Sequence, residues 1–286
     1  MEIIASISEL RHTLKNQDHI AFVPTMGNLH DGHIKLVEIA KQHAKCVVVS
    51  IFVNPLQFGP HEDLANYPRT LEVDCRKLQT AGADIVFTPS VEEMYPHATT
   101  TAKGLDLGQT MKVTPPPIAN ELCGASRPGH FDGVATVVAK LFNIVQPNIA
   151  VFGKKDFQQL FIIRELVKQF NLPVEIIAGE TVREPSGLAM SSRNGYLTDA
   201  QKTQAAQLYK MLESIVLRVR SGTAELGLLA DAASLALKEL GWDVDYVSFR
   251  SQTTLMPATS EDQQLVVLAA AKLGTTRLID NIDFLR

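Results

Sequence analysis

The sequence predicts a doubly wound α/β fold, built on a parallel sheet and followed by a smaller α+β part. Three observations lead there. Short apolar runs alternate with amphipathic helical segments from residue 20 to residue 178. Proline or glycine punctuates the ends of the runs. After residue 181 the style changes to two long helical segments and then three strand-like runs.

The elements follow in order. Residues 20–24 form a short apolar run ending at a proline and predict a buried strand. Residues 27–32 form a glycine-bearing turn. Residues 33–45 have helical composition, with Ile34, Val37, Ala40 and Ala44 on one face. The β-branched run 46–53 predicts the next strand, parallel to the first through a right-handed crossover. Helices are then expected over 70–80, 132–145 and 156–170, and strands over 84–88, 148–152 and 174–178. The second part should carry helices over 198–220 and 224–240 and strands over 244–249, 265–271 and 276–279. The whole is a Rossmann-like sheet over residues 1–180 and a C-terminal α+β domain over 181–286. Residues 54–69 and 89–131 are long loops of the kind that wall a substrate site; Thr114 to Pro117 is read there as either such a wall or a stiff spacer.

Composition narrows the function. The 286 residues are 45% hydrophobic and 20% charged, which suits a large buried core. A net charge of −4, from 27 basic and 31 acidic residues, gives no global field for nucleic acid or anionic membrane. No apolar run is long enough for a membrane span, and the N-terminus lacks a signal-peptide pattern. Cys46, Cys75 and Cys123 are odd in number and widely spaced, so reduced thiols in a cytoplasmic protein are expected.

Four strings bear chemistry. Pro24-Thr25-Met26-Gly27-Asn28-Leu29-His30-Asp31-Gly32-His33 joins a strand end to a helix start, where free N–H groups and the helix dipole favour phosphate. Gly27 and Gly32 allow positive φ and close backbone approach. The two histidines can donate to a phosphate leaving group. The competing readings are a zinc pair without an evident third ligand, and two surface histidines beside a turn. Asn54-Pro55-Leu56-Gln57-Phe58-Gly59 places neutral amides at the next strand end; an ordinary strand exit is the alternative. Gly153-Lys154-Lys155-Asp156-Phe157-Gln158-Gln159 offers cations to polyphosphate, with Asp156 either a helix cap or a ligand of ribose or of a magnesium-bound water. Met190-Ser191-Ser192-Arg193-Asn194 combines two hydroxyls and a guanidinium as a phosphate clamp, or is merely a polar inter-domain turn. Two further segments carry less: a single charge such as Asp74 reads as surface, and Arg127 or His130 could meet a carboxylate while Asp132 caps a helix.

The His-x-Gly-His string after the first strand resembles the nucleotidyltransferase superfamily, and Met-Ser-Ser-Arg resembles its second signature. With Asn54–Gln57 and Lys155–Gln159 in the same order, the chain resembles the pantothenate synthetase (pantoate–β-alanine ligase) family. That resemblance implies ATP as co-substrate, pantoate and β-alanine as the other substrates, Mg²⁺ carried mainly by the phosphates with no protein metal cage, and a homodimer. It implies ATP binding by residues 26–33, Gly153, Lys154, Lys155, Asp156, Val182, Met190, Ser191, Ser192 and Arg193. Pantoate would be held by Met26, Asn54, Gln57 and Gln159, and the charge work done by His30, His33, Lys155, Ser191, Ser192 and Arg193; the resemblance also implies that the region of Tyr67 to Thr70, with Asp74 in the helix after it, covers the amine site. Lys154 stands where relatives are often acidic, so its charge is expected to alter phosphate affinity. Three rivals share part of the pattern: a nucleotidyltransferase that leaves the nucleotide on its product, a class I aminoacyl-tRNA synthetase, and a non-catalytic nucleotide binder.

Overall fold

The computed structural model describes residues 1–59, 62, 64–101, 104–222 and 225–286. Its first part runs β1 (Glu2–Ile4), α1 (Ile7–Leu14), β2 (Ile20–Thr25), α2 (Asp31–His43), β3 (Cys46–Ile51), α3 (Leu71–Ala81), β4 (Ile85–Phe87) and α4 (Val91–Met94). It continues with β5 (Thr99–Thr101), β6 (Gly104–Asp106), α5 (Cys123–Ser126), α6 (His130–Val145), β7 (Ile149–Gly153), α7 (Phe157–Gln169) and β8 (Glu175–Gly179). The second part is α8 (Asp199–Arg220), α9 (Leu226–Glu239), β9 (Asp243–Ser251), β10 (Gln264–Leu273) and β11 (Thr276–Leu285).

Six strands form one parallel sheet in the order β1-β4-β3-β2-β7-β8. From β2 the chain winds through α2 and α3 toward β4; the later strands β7 and β8 add on the other side of β2. The switch of direction therefore lies between β2 and β7. A crevice opens there at the carboxyl ends of the strands, the place where open α/β sheets bind ligands. The central strands are buried on both faces, which is why they read as unbroken apolar runs: Ala21, Phe22, Val23, Val47, Val48 and Val49 are all 0% exposed. Helix α6 lies along one face and buries Val134, Val137, Val138, Leu141 and Val145 against it. Helices α2 and α3 cover the other face.

The C-terminal part is an antiparallel sheet, β11-β10-β9, with α8 and α9 packed on one side. Thr198 opens α8 with a reciprocal capping box to Gln201. Strand β11 runs to Leu285, beyond the expected 276–279, because it pairs with β10 over its whole length.

Three features were not anticipated. Strand β1 and helix α1 precede the first predicted strand. Helix α2 starts at Asp31, so His33 is its third residue. The loop over 89–131 holds short helices and the two-stranded β5–β6 ribbon, and the proline run leads into a helical turn over Pro117–Asn120. The start of the expected 224–240 helix lies outside the described residues. The cysteines are free and buried. No helix among the described residues is long and apolar enough to cross a membrane.

Candidate active site

Each string identified by sequence lies at or next to the crevice. The chain leaves β2 at Thr25 and reverses through two left-handed residues, Gly27 at φ 82° and Asn28 at φ 50°. Glycine accepts that region freely and asparagine better than most. Gly32 does not need positive φ. It is required by contact, because a Cβ there would sit 2.9 Å from the His30 ring.

The reversal aims two successive N–H groups at one carboxylate. Asn28 and Leu29 each donate to Asp74, both at 2.8 Å, and Thr70 adds its hydroxyl at 3.1 Å. Asp74 comes from α3 and is 1% exposed. The sequence reading placed it on the surface. The structure makes it the anchor of the histidine turn.

The two histidine rings pack against each other, centroids 4.0 Å apart and planes tilted by 40°. The backbone N–H of His30 donates to Nδ1 of His33 at 3.3 Å. That bond assigns the neutral tautomer of His33: its proton sits on Nε2, which is then a donor. Burial lowers both pKa values, with Lys155 adding to the effect on His30 and His30 adding to that on His33. They fall to about 4 for His30 and about 3 for His33. Both rings are therefore neutral donors at neutral pH. Among the described residues no group of three His, Cys, Asp or Glu side chains converges as a metal site.

After β3, Asn54 is 1% exposed and its amide is engaged within the protein. It donates to the Gln57 side chain at 3.1 Å and to the Gly133 carbonyl at 3.2 Å, and accepts from the Tyr95 hydroxyl at 2.6 Å. It thereby orients Gln57, and it also lines the cleft beside it. Gln57 reaches Met26 Sδ at 3.0 Å. Gly133 of α6 makes this packing possible, since a Cβ there would lie 2.5 Å from the Leu56 carbonyl oxygen.

After β7, a helical turn over Lys154–Asp156 precedes α7. The adjacent lysines part company. Lys155 faces the cleft and lies 3.8 Å from Asp156. Lys154 bonds Glu180 at 2.5 Å and Asp283 of β11 at 2.9 Å. Burial opposes its charge, but those bonds outweigh burial and raise its pKa. The expectation that Lys154 binds ATP phosphates is corrected: its charge is already spent on two carboxylates. Asp156 makes no side-chain cap bond to α7 and opens on the cleft. Burial works to raise its pKa, yet Lys155, Arg193 and His33 together hold it below the usual carboxylate range.

Val182 and Met190 face each other across a short hairpin, where the Met190 N–H donates to the Val182 carbonyl at 2.9 Å. Ser191 then accepts from the Arg193 N–H at 3.2 Å, fixing the turn that presents Ser192 and Arg193. Met26, His30, His33, Gln57, Gly153, Lys155, Asp156, Gln159, Val182, Met190, Ser191, Ser192 and Arg193 all line one cavity of about 240 Å³. A second cavity of about 690 Å³ adjoins it, sharing Lys155, Asp156, Gln159 and Arg193 and walled on its far side by β10 and β11.

Arg127 and His130 line both cavities, with their polar atoms bonded within the protein. Arg127 forms a fork to Glu62 at 2.7 and 2.6 Å. His130 Nδ1 donates to the Gln57 carbonyl at 2.9 Å, leaving Nε2 to accept from Arg127 at 2.9 Å. Gly129, not Asp132, occupies the cap position of α6, and no side chain caps it. Burial first, then Arg127, lowers the His130 pKa to about 4. An unfolded histidine titrates near 6.5, so below that pH the unfolded chain binds protons that folded His130 refuses. Stability present above about pH 6.5 is thus lost as pH falls toward 4. The thermal midpoint should drop from pH 7 to pH 5, and His130→Asn, which keeps a donor near Nδ1 but cannot titrate, should drop less. Parallel curves for the two proteins would contradict this.

A parallel sheet with a histidine turn and a lysine turn on either side of its switch point defines an α/β protein with a ligand crevice at its strand ends. The family profile described as Pantoate-beta-alanine ligase matches residues 2–283. A pantothenate synthetase of Methylobacillus flagellatus is 67% identical over 284 residues, 99% of each chain. One from Thiobacillus denitrificans is 55% identical over 99% of this chain and 97% of its own. A crystal structure of pantothenate synthetase from Thermus thermophilus superposes with TM-score 0.90 at 42% identity, covering 99% of both chains. The Francisella tularensis pantoate-beta-alanine ligase, solved with a form of ATP and β-alanine, gives TM-score 0.81 at 35% identity over 100% of this chain and 97% of its own. The chain belongs to the pantoate-beta-alanine ligase family.

Proposed function

We propose that this cleft joins pantoate to β-alanine at the expense of ATP, through a pantoyl-adenylate. The observation that supports it most is the convergence of neutral amides, neutral histidines and cationic groups on one crevice. A carboxylate oxygen is a poor leaving group. Attack of the pantoate carboxylate on the ATP α-phosphorus makes that oxygen part of AMP and expels diphosphate. The β-alanine amine then attacks the acyl carbonyl and AMP departs. The first step needs alignment and neutralisation of charge on the departing diphosphate.

Gln57, oriented by Asn54, holds pantoate with Met26 and Gln159. Gly153, Asp156, Val182 and Met190 seat the nucleoside. The His33 Nε2–H, His30, Lys155, Ser191, Ser192 and Arg193 face the phosphates. Mg²⁺ on the phosphates would add positive charge there. The Asp156 carboxylate, open to the cleft and without a cap bond, suits the waters of such an ion. The C-terminal part supplies the wall that closes over ATP. The same reading makes the protein a cytoplasmic homodimer, which sedimentation at the mass of a single chain would refute.

The test is a product assay with ATP, Mg²⁺ and pantoate, with and without β-alanine. Pantothenate with equal AMP and diphosphate, only in the complete mixture, is expected. AMP left attached to an acceptor would favour a nucleotidyltransferase, and ATP binding without turnover a binding protein. Within this reading, Gln57→Ala should raise the pantoate KM about tenfold, the loss of one or two buried hydrogen bonds. An unchanged pantoate titration would refute that role.

A further inference from the structure

The two halves of the phosphate site arise far apart in sequence, one after β7 and one in the 182–193 segment. Both are tied to the same dipeptide of the last strand. Asn281 is 5% exposed and uses both hydrogens of its amide on the lysine turn: Nδ2 donates to the Lys154 carbonyl at 3.0 Å and to the Lys155 carbonyl at 2.8 Å. Asp280 is 4% exposed and takes Arg183 in a fork at 2.7 and 2.9 Å. Arg183 also donates to the Gly187 carbonyl at 3.1 Å and lies 3.5 Å from the centroid of the Tyr209 ring. It is thereby fixed at the base of the hairpin that delivers Ser191 to Arg193. Neighbouring residues of a strand point to opposite sides, so one strand can grip two segments at once. Asp283, two residues on, draws Lys154 out of the cleft.

We propose that Asp280 and Asn281 are positioning residues for adenylation: they fix the lysine turn and the Ser191–Arg193 turn at one separation, so that Lys155 and Arg193 meet the same triphosphate. This rests on the cleft being the adenylating site. Both stand outside the 240 Å³ cleft and line only the adjoining cavity. Each acts through the segment it holds, Asn281 through Lys155 and Asp280 through Arg193.

The experiment measures pantoate-dependent exchange of diphosphate into ATP, together with pantoate affinity by calorimetry. Wild type without exchange would overturn the adenylation reading and this inference with it. With wild type active, Asn281→Asp replaces two donors by an oxygen facing two carbonyls. Its exchange rate should fall ten- to a hundredfold, with pantoate affinity within about twofold. In a Lys155→Met background the same substitution should cost almost nothing more, because the group it positions is gone. A general structural defect would instead lower both backgrounds by the same factor. Asp280→Asn in an Arg193→Met background tests the other arm identically. If Asn281→Asp does not fold, Asn281→Ser, which keeps one donor, is read by the same cycle. Wild-type exchange in Asn281→Asp, or additive losses in the cycle, overturns the proposal.

Discussion

His33→Ala should slow adenylate formation about a hundredfold or more while leaving pantoate binding within about twofold. Removing one donor aimed at developing charge typically costs 10²–10³ in rate, roughly 3–4 kcal/mol. His33 has the geometry for that role. Its Nδ1 is occupied by the His30 N–H at 3.3 Å, which leaves Nε2–H as the donor toward the cleft. Its pKa of about 3, set first by burial, keeps the ring neutral, so in the proposed reaction it would meet diphosphate through a directed hydrogen bond without carrying full charge. His33→Gln, whose amide nitrogen reaches close to the Nε2 position, should recover part of the rate. Rapid-quench measurement of the first turnover separates this step from product release. A normal diphosphate burst in His33→Ala would remove His33 from the chemistry.

The residues whose meaning is local were legible in the sequence. The strand–turn–helix over 20–33 announces itself because a buried parallel strand must be apolar on both faces and its exit must turn sharply. The same logic exposed the lysine turn after β7. Residues whose meaning lies in distant partners were not legible. Lys154 and Lys155 are adjacent and chemically identical; only Glu180 and Asp283 decide which of them is left facing the cleft. Asn54 and Gln57 are both amides close to a proline, and only Tyr95 and the Gly133 carbonyl reveal that the Asn54 amide is held in place by the protein. Strand β1 has three residues, too few for a period-2 pattern, and is held as a strand by its pairing with β4. Asp280 and Asn281 sit in a strand whose apolar pattern was visible only as far as residue 279.

Asp74 belongs to that second group, and its replacement should have the other large effect. In Asp74→Ala the N–H groups of Asn28 and Leu29 lose the acceptor that both now share at 2.8 Å. A buried donor left unpaired costs about 1–3 kcal/mol, so a total near 3 kcal/mol is expected for the pair. For a chain of this size that corresponds to a fall in thermal midpoint of roughly five degrees. The consequence for catalysis is separate. Gly27 and Asn28 hold positive φ without the carboxylate that rewards it, so the turn relaxes and His30 and His33 lose their fixed place at the start of α2. Adenylation should fall about tenfold to a hundredfold even when assayed well below the melting point at saturating ATP. Asp74→Asn keeps the shape and one acceptor oxygen but turns an amide toward a backbone N–H. It should therefore lie between wild type and alanine on both scales. If Asp74→Asn matched wild type in midpoint and in rate, the carboxylate would be filling space and the histidine turn would be holding itself.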